Sequence, residues 1–285
     1  MRQFFPTLAL VSGVWVAACF PSLEGLTGAR DGSVSDATSD AFAPREDAAN
    51  QVVDAGVDAP FEGGPFCATN VPANTFCSDF DLNDLTVFAN KTEVSGGTVV
   101  LDKGDAALSP PGSLITTIPS RPVAEAGAFS MAYVHYVSSP AQSSIGEISF
   151  SIRAEKVSSD RSTSLAVLQF VGPDRNYEAR VSLNPDRTVF VSELDTKTSV
   201  YAEPFRTPNA LSVDTWHRIR FRVEMLAVNS GRADLEIDGV AAVTALAMKP
   251  VLTSGNLRTS VGNPFVRAPN DSWRLRYDDL LIFPK

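Results

Sequence analysis

The chain has 285 residues and a formal charge of −9, with 44% hydrophobic and 20% charged residues. These values fit a globular protein of one or two domains. The charge is uneven: residues 20–66 hold nine acids against two bases, whereas residues 67–285 hold 24 acids against 21 bases. The larger part is therefore nearly neutral, which argues against nucleic-acid binding, since that needs a concentrated basic surface.

Arg2 precedes an uncharged apolar run over residues 4–18, FFPTLALVSGVWVAA. The run is short for a membrane span and reads as the hydrophobic region of a signal peptide, which assigns residues 1–18 to export. It ends in Val16-Ala17-Ala18-Cys19, which resembles a bacterial lipobox. The resemblance implies a lipid on Cys19, an exported protein and attachment to the cell envelope. An ordinary signal-peptidase site or an uncleaved anchor helix are the alternatives. Each buried methylene contributes about 0.8 kcal/mol, so two or three acyl chains make the attachment effectively permanent. Phe20 stands where an Asp would retain such a protein at the inner membrane, which favours the outer membrane.

Residues 19–66 show no periodic apolar pattern and repeat Asp-Ala at 36–37, 40–41, 47–48, 54–55 and 58–59. Such a segment buries too little apolar surface to offset its ordering entropy and is read as a disordered tether. A flexible segment of this length spans roughly 35–40 Å, more with like-charge repulsion. With Cys19 set apart, Cys67 and Cys77 remain as an even pair suited to a disulfide in an oxidising compartment. Pro72 and Asn74 between them favour a turn, and the closed loop would contribute about 2–3 kcal/mol.

From Phe76 onward the pattern has period two, as in 127–137 (GAFSMAYVHYV), 145–153, 165–171, 177–183, 187–194, 217–225, 233–240 and 273–283. Turn signals such as Asn184-Pro185-Asp186, Asn229-Ser230-Gly231 and Asp238-Gly239 separate the runs. About a dozen strands and no amphipathic helix are expected, which argues for a β-sandwich or barrel over residues 67–285.

Three spans sharpen that class. Asp214-Thr215-Trp216-His217-Arg218-Ile219-Arg220-Phe221-Arg222-Val223 resembles a strand of laminin G-like and concanavalin A-like domains. Ala233-Asp234-Leu235-Glu236-Ile237-Asp238-Gly239 resembles their next hairpin. Ser260-Val261-Gly262-Asn263 followed by Arg276-Tyr277-Asp278-Asp279-Leu280-Leu281-Ile282 is similar to their closing strands. The resemblance implies an all-β, concanavalin A-like jelly-roll β-sandwich of two antiparallel sheets. It also implies that the strand opening at Phe76-Cys77-Ser78 pairs with the last.

Several residues could carry chemistry. Glu193-Leu194-Asp195 begins like the carboxylate strand of a glycoside hydrolase of this fold, but Thr198 replaces the last carboxylate and removes the two-carboxylate mechanism. A polysaccharide lyase would need a Tyr or His base. The two histidines are His135, beside Tyr133 and Tyr136, and His217, which shares a strand face with Ile219 and Phe221. Arg218, Arg220 and Arg222 alternate on one strand face and could bind an acidic glycan through bidentate contacts. They could equally be balanced by Glu224, Glu236 and Asp278. Trp273 is either a sugar-stacking platform or a core residue. Asp278-Asp279 and Asp102/Asp105 offer hard oxygen ligands for a structural calcium; no cofactor is required. The expected function is a non-catalytic recognition module, carbohydrate-binding, displayed on the membrane. The alternatives are a polysaccharide lyase or diverged glycoside hydrolase, and a structural envelope protein.

Overall fold

The computed structural model describes residues 66–284 except 70, 72–74, 83, 105, 126 and 139–141. Cys19, the expected signal peptide over residues 1–18 and nearly all of the acidic segment lie outside the described residues. Two antiparallel sheets make up the fold. The first runs in the order β13 (Val240–Met248), β12 (Ser230–Ile237), β11 (Trp216–Ala227), β6 (Ile145–Lys156), β15 (Trp273–Pro284), β4 (Ser113–Ile118) and β3 (Thr98–Asp102). The short β1 (Phe76–Ser78) also pairs with β15, Phe76 opposite Ile282. The second sheet runs β10 (Val200–Ala210), β9 (Thr188–Asp195), β8 (Asn176–Leu183), β7 (Thr163–Val171), β14 (Asn256–Arg267), β5 (Phe129–Val137) and β2 (Asn90–Val94). The fold is thus an all-β, jelly-roll-like sandwich, as the period-two pattern predicts.

The alternation drives the packing. Ile219, Phe221 and Val223 of β11, with Ile148, Phe150 and Ile152 of β6, turn one face of the first sheet inward. Ala132 and Val134 of β5, Leu168 and Phe170 of β7, and Ala179 and Val181 of β8 do the same from the second. All are almost wholly buried, so each burial contributes of the order of 1.5–3 kcal/mol for the larger side chains. A one-residue slip would turn any of these strands inside out, which locks their register.

The hairpins follow their turn residues. Asp238 and Gly239 both take positive φ, 54° and 75°, as a tight turn between β12 and β13 requires. The strand β10, not expected from the pattern, contains Pro204 and Pro208. A sheet edge tolerates them because a proline there need not donate to a ladder. Cys67 and Cys77 form a disulfide with Cα atoms 5.7 Å apart. It ties the residues preceding the sandwich to β1, and so to β15.

The parity of β15 breaks once. Asp278 pairs with Ser151 and Leu281 with Ser149, so one extra residue enters β15, and Asp279 takes φ 49°. Tyr277 and Leu280 consequently both join the core. Asp278 Oδ2 accepts the Leu108 and Ser109 amides (both 2.9 Å). The Ser109 hydroxyl lies 3.2 Å from Asp278 Oδ1 and 2.6 Å from Asp279 Oδ1. Burial, then repulsion from Asp279, pushes the Asp278 carboxyl up to about 7 against those hydrogen bonds. Burial raises Asp279 and Asp81 as well.

Two predictions follow from these features. Gly262 has φ 130°, and a Cβ there would lie 2.4 Å from the Ala132 carbonyl oxygen. Gly262→Ala should therefore lower the urea midpoint by an amount equivalent to about 1–3 kcal/mol or more; an unchanged midpoint would contradict this packing. At Asp278 the folded state holds a proton that the unfolded chain, with its ordinary carboxyl near 3.8, has already lost. That contribution is complete below pH 4 and disappears as pH rises through about 7. Asp278→Asn should flatten the loss of melting temperature between pH 4 and 7, and a slope equal to the wild type would refute the assignment.

Candidate functional site

The outer face of the second sheet is built by the residues between its core positions. Because Ala132 and Val134 point inward, Tyr133 and His135 point outward. By the same parity Val167 and Gln169 of β7, Glu178 and Arg180 of β8, and Arg258 and Ser260 of β14 reach this face. The ladder registers align them in rows across the strands. One row runs Asn90, His135, Ser260, Val167, Arg180, Ser192 over six strands. The neighbouring row runs Val137, Arg258, Gln169, Glu178, Leu194.

These rows floor a cleft of about 360 Å³, edged by Met131, Tyr133 and Phe265. A second basin of about 300 Å³ continues from it, and Ser164, Arg180 and Phe265 line both. His135 and Arg180 stand three strands apart on the floor, roughly 14 Å at about 4.8 Å per strand.

The polar groups of the cleft are specifically arranged. His135 Nδ1 lies 3.2 Å from the Ser260 hydroxyl. Burial, reinforced by the nearby Arg258 cation, lowers the His135 pKa, so the imidazole is neutral at pH 7. The Gln169 amide donates to Glu178 Oε1 (2.7 Å), and Arg180 Nε–H donates to Glu178 Oε2 (3.0 Å). Glu178 is the one acid among the described lining residues of the two basins, against Arg161, Arg180, Arg258 and Arg267. Arg161, Arg258 and Arg267 form no salt bridge with a described carboxylate. Arg161 donates to the Pro269 carbonyl oxygen (3.0 Å), and Arg267 lies over the Phe129 ring (5.4 Å). Among the described lining residues, cations therefore outnumber acids four to one, on a domain that is negative overall; Asp160, next to Arg161 in sequence, offsets part of that charge.

The residues that the sequence singled out lie elsewhere. Arg218, Arg220 and Arg222 occupy the outer face of the first sheet and are engaged there. Arg218 donates to the hydroxyls of Ser149 (3.0 Å) and Ser151 (3.2 Å) and to the Asp279 carbonyl oxygen (2.9 Å). Arg220 pairs with Glu147 (2.7 Å) and Glu236 (3.2 Å), and Arg222 with Glu224 (3.5 Å). This is a cross-strand charge lattice, so the three arginines do not present the free guanidinium row that the glycan-binding reading requires. Trp273 is 0% exposed and packs in the core, where it cannot stack on a sugar. His217 is held between the Asp238 carboxylate (2.7 Å) and the Ser212 amide (3.2 Å), a structural role at the hairpin.

Glu193 points inward and accepts the Tyr177 hydroxyl (2.7 Å), while Asp195 caps the following turn through Thr198 (2.6 Å). Neither carboxylate reaches the groove. Asp102 pairs with Arg276 (2.6 Å), and Asp105 lies outside the described residues. Among the described residues no group of three or more His, Cys, Asp or Glu is placed to hold a metal ion. What the sequence reading missed is distributed: Gln169, Arg180 and Arg258 each come from a different strand. Their one sequence signal is a large polar residue in the outward phase of three neighbouring strands, β8, β7 and β14.

No protein-family model matches the chain, and no curated protein matches it in sequence. Solved structures are similar in fold. An endo-β-1,4-glucuronan lyase from the fungus Trichoderma reesei superposes with a TM-score of 0.56 at 13% identity, covering 74% of this chain and 95% of that one. A marine PL-14 alginate lyase from Aplysia kurodai gives 0.54 at 11% identity, covering 74% and 98%. The cellulose induced protein Cip1 gives 0.51 at 13% identity, covering 73% and 96%. At these identities the likeness shows the shared architecture, a β-sandwich of two antiparallel sheets.

Proposed function

We propose that this protein binds an acidic polysaccharide along the groove on the outer face of the second sheet. The observation that carries this reading is the surplus of arginines there. Among the described residues, Arg161, Arg258 and Arg267 form no salt bridge with a carboxylate, and a planar guanidinium matches a uronate carboxylate in a two-pronged contact. Their placement around a cleft with an exposed aromatic edge suits a sugar polymer better than a compact anion. The fold supports the reading, since two similar solved structures are named as lyases of uronate polymers. The concanavalin A-like resemblance of residues 214–223 and 233–239 points the same way. Fold likeness by itself does not assign function.

A second reading is supported by Tyr133 and His135. They stand two residues apart on one strand face, and His135 is neutral and therefore able to take a proton. On a uronate chain such a base removes the proton α to the carboxyl group. The electron pair forms a carbon–carbon double bond and expels the glycosidic oxygen, which takes a proton from an acid such as the Tyr133 hydroxyl. Arg258 would stabilise the charge developing on the carboxylate. The chain is further proposed to be exported and lipid-anchored at Cys19, with the outer membrane favoured.

Three measurements test these readings. Arg258→Glu should weaken polyuronate binding by about tenfold to a hundredfold, the value of a charge-assisted hydrogen bond of about 1.5–3 kcal/mol. Arg220→Glu on the opposite face should leave it unchanged, and the reverse order of effects would overturn the assignment of the groove. Incubation with polyuronates, followed by ultraviolet detection of unsaturated products, decides between binding and elimination. Product formation that disappears in His135→Ala while binding persists would establish catalysis; bound polymer recovered intact would reject it. Cys19→Ser should move the protein from the membrane fraction to the soluble fraction, and retention on the membrane would refute lipidation.

A further inference from the structure

The path of β14 divides the groove. This strand pairs with β7 only from Asn256 to Val261 and then continues beside β5 alone. There Asn263 opposes Ala132 and Val266 opposes Ser130, so Pro264 and Phe265 together face the single residue Met131. The bulge is pinned from beneath by Asn263, which is fully buried. Its side chain accepts from the Thr163 hydroxyl (2.9 Å) and donates to the Thr116 hydroxyl (2.8 Å). Phe265 is thereby pushed outward and is 37% exposed, with its ring 4.4 Å from that of Phe129. It forms a fixed apolar edge lining both basins.

The basin beyond this edge has its own composition. Arg161, Arg180 and Arg267 line it, with Phe190, Tyr201 and several serines, and no carboxylate is among its described lining residues. Arg161 comes from the connection between β6 and β7, and Arg267 is the last residue of β14. Arg161 donates its Nε–H to the Pro269 carbonyl oxygen and lies near Asp160, and Arg267 lies over the Phe129 ring; neither forms a salt bridge with a described carboxylate. Arg180 stands at the junction and is engaged by Glu178, to which it donates from both Nε and Nη2. A single acidic sugar in the first basin would leave Arg161 and Arg267 unmatched.

We infer that the second basin is a separate anionic-sugar subsite and that Phe265 is the platform between the two. The preferred ligand is then a uronate oligomer long enough to cross Phe265, with carboxylates on both sides of it, and not a monosaccharide or a chain end. This inference rests on the proposed binding of acidic polysaccharide and names the length and charge spacing that the site selects.

The test is a calorimetric titration of the full chain with a disaccharide, a tetrasaccharide and a hexasaccharide of uronate. The wild type should bind the hexasaccharide at least about tenfold more tightly than the disaccharide, one additional charge-assisted contact being sufficient for that gain. The double variant Arg161→Gln/Arg267→Gln should lose the gain, its hexasaccharide affinity falling to within about threefold of its own disaccharide affinity. Both arginines are exposed, so the fold should survive, and an unchanged melting temperature checks that. Phe265→Ala should reduce hexasaccharide affinity more than disaccharide affinity. A double variant that keeps the full length dependence would overturn the second subsite and leave the groove itself standing. No binding of any uronate to the wild type would overturn the groove reading as well.

Discussion

Everything described about the groove depends on one constraint, the locking of strand parity by the sheet-on-sheet core. The side-chain period of a strand is two, so burying one set of residues dictates the direction of the other. Ala132 and Val134 cannot leave the core without exposing apolar surface, and Tyr133 and His135 are consequently held on the opposite face. The same holds for Ala179 against Arg180 and for Leu257 against Arg258. Recognition chemistry is positioned here by residues that take no part in it, which is the usual way a rigid scaffold orients a surface site.

Two of the places where the ladder register shifts are as informative as those where it holds. In β15 one extra residue puts two adjacent carboxylates, Asp278 and Asp279, on the same side beneath a single serine hydroxyl. In β14 the bulge at Pro264 and Phe265 lifts an aromatic ring out of the sheet and separates two basins. Bulges re-aim side chains at a modest cost in ladder bonds. One of them shapes a buried acidic pair that responds to pH, and the other shapes the edge of the groove.

The two outer faces carry similar residues and behave differently because of pairing. On the first sheet each arginine of β11 meets an acid or hydroxyl on a neighbouring strand, so its charge is spent locally. Among the described residues lining the groove on the second sheet, four arginines face one acid, and Arg161, Arg258 and Arg267 form no salt bridge with a described carboxylate. A surface salt bridge contributes little to stability. The informative quantity is therefore the local imbalance of charge, which decides whether a face attracts a polyanion.

The sequence by itself determined the all-β class, the hairpin at Asp238-Gly239 and the Cys67–Cys77 disulfide. These depend on local period, turn chemistry and the parity of cysteines, all readable along the chain, whereas the pairing of the first strand with the last was implied only by the family resemblance. The sequence also marked His135 as a residue with two possible roles. Only the tertiary structure showed that Trp273 belongs to the core and that the Arg218, Arg220, Arg222 row is neutralised, because their partners lie on other strands. Only the structure assembled His135, Gln169, Arg180 and Arg258, drawn from β5, β7, β8 and β14, into one surface. Strand order and register are set by long-range burial, and no local pattern encodes which strands become neighbours.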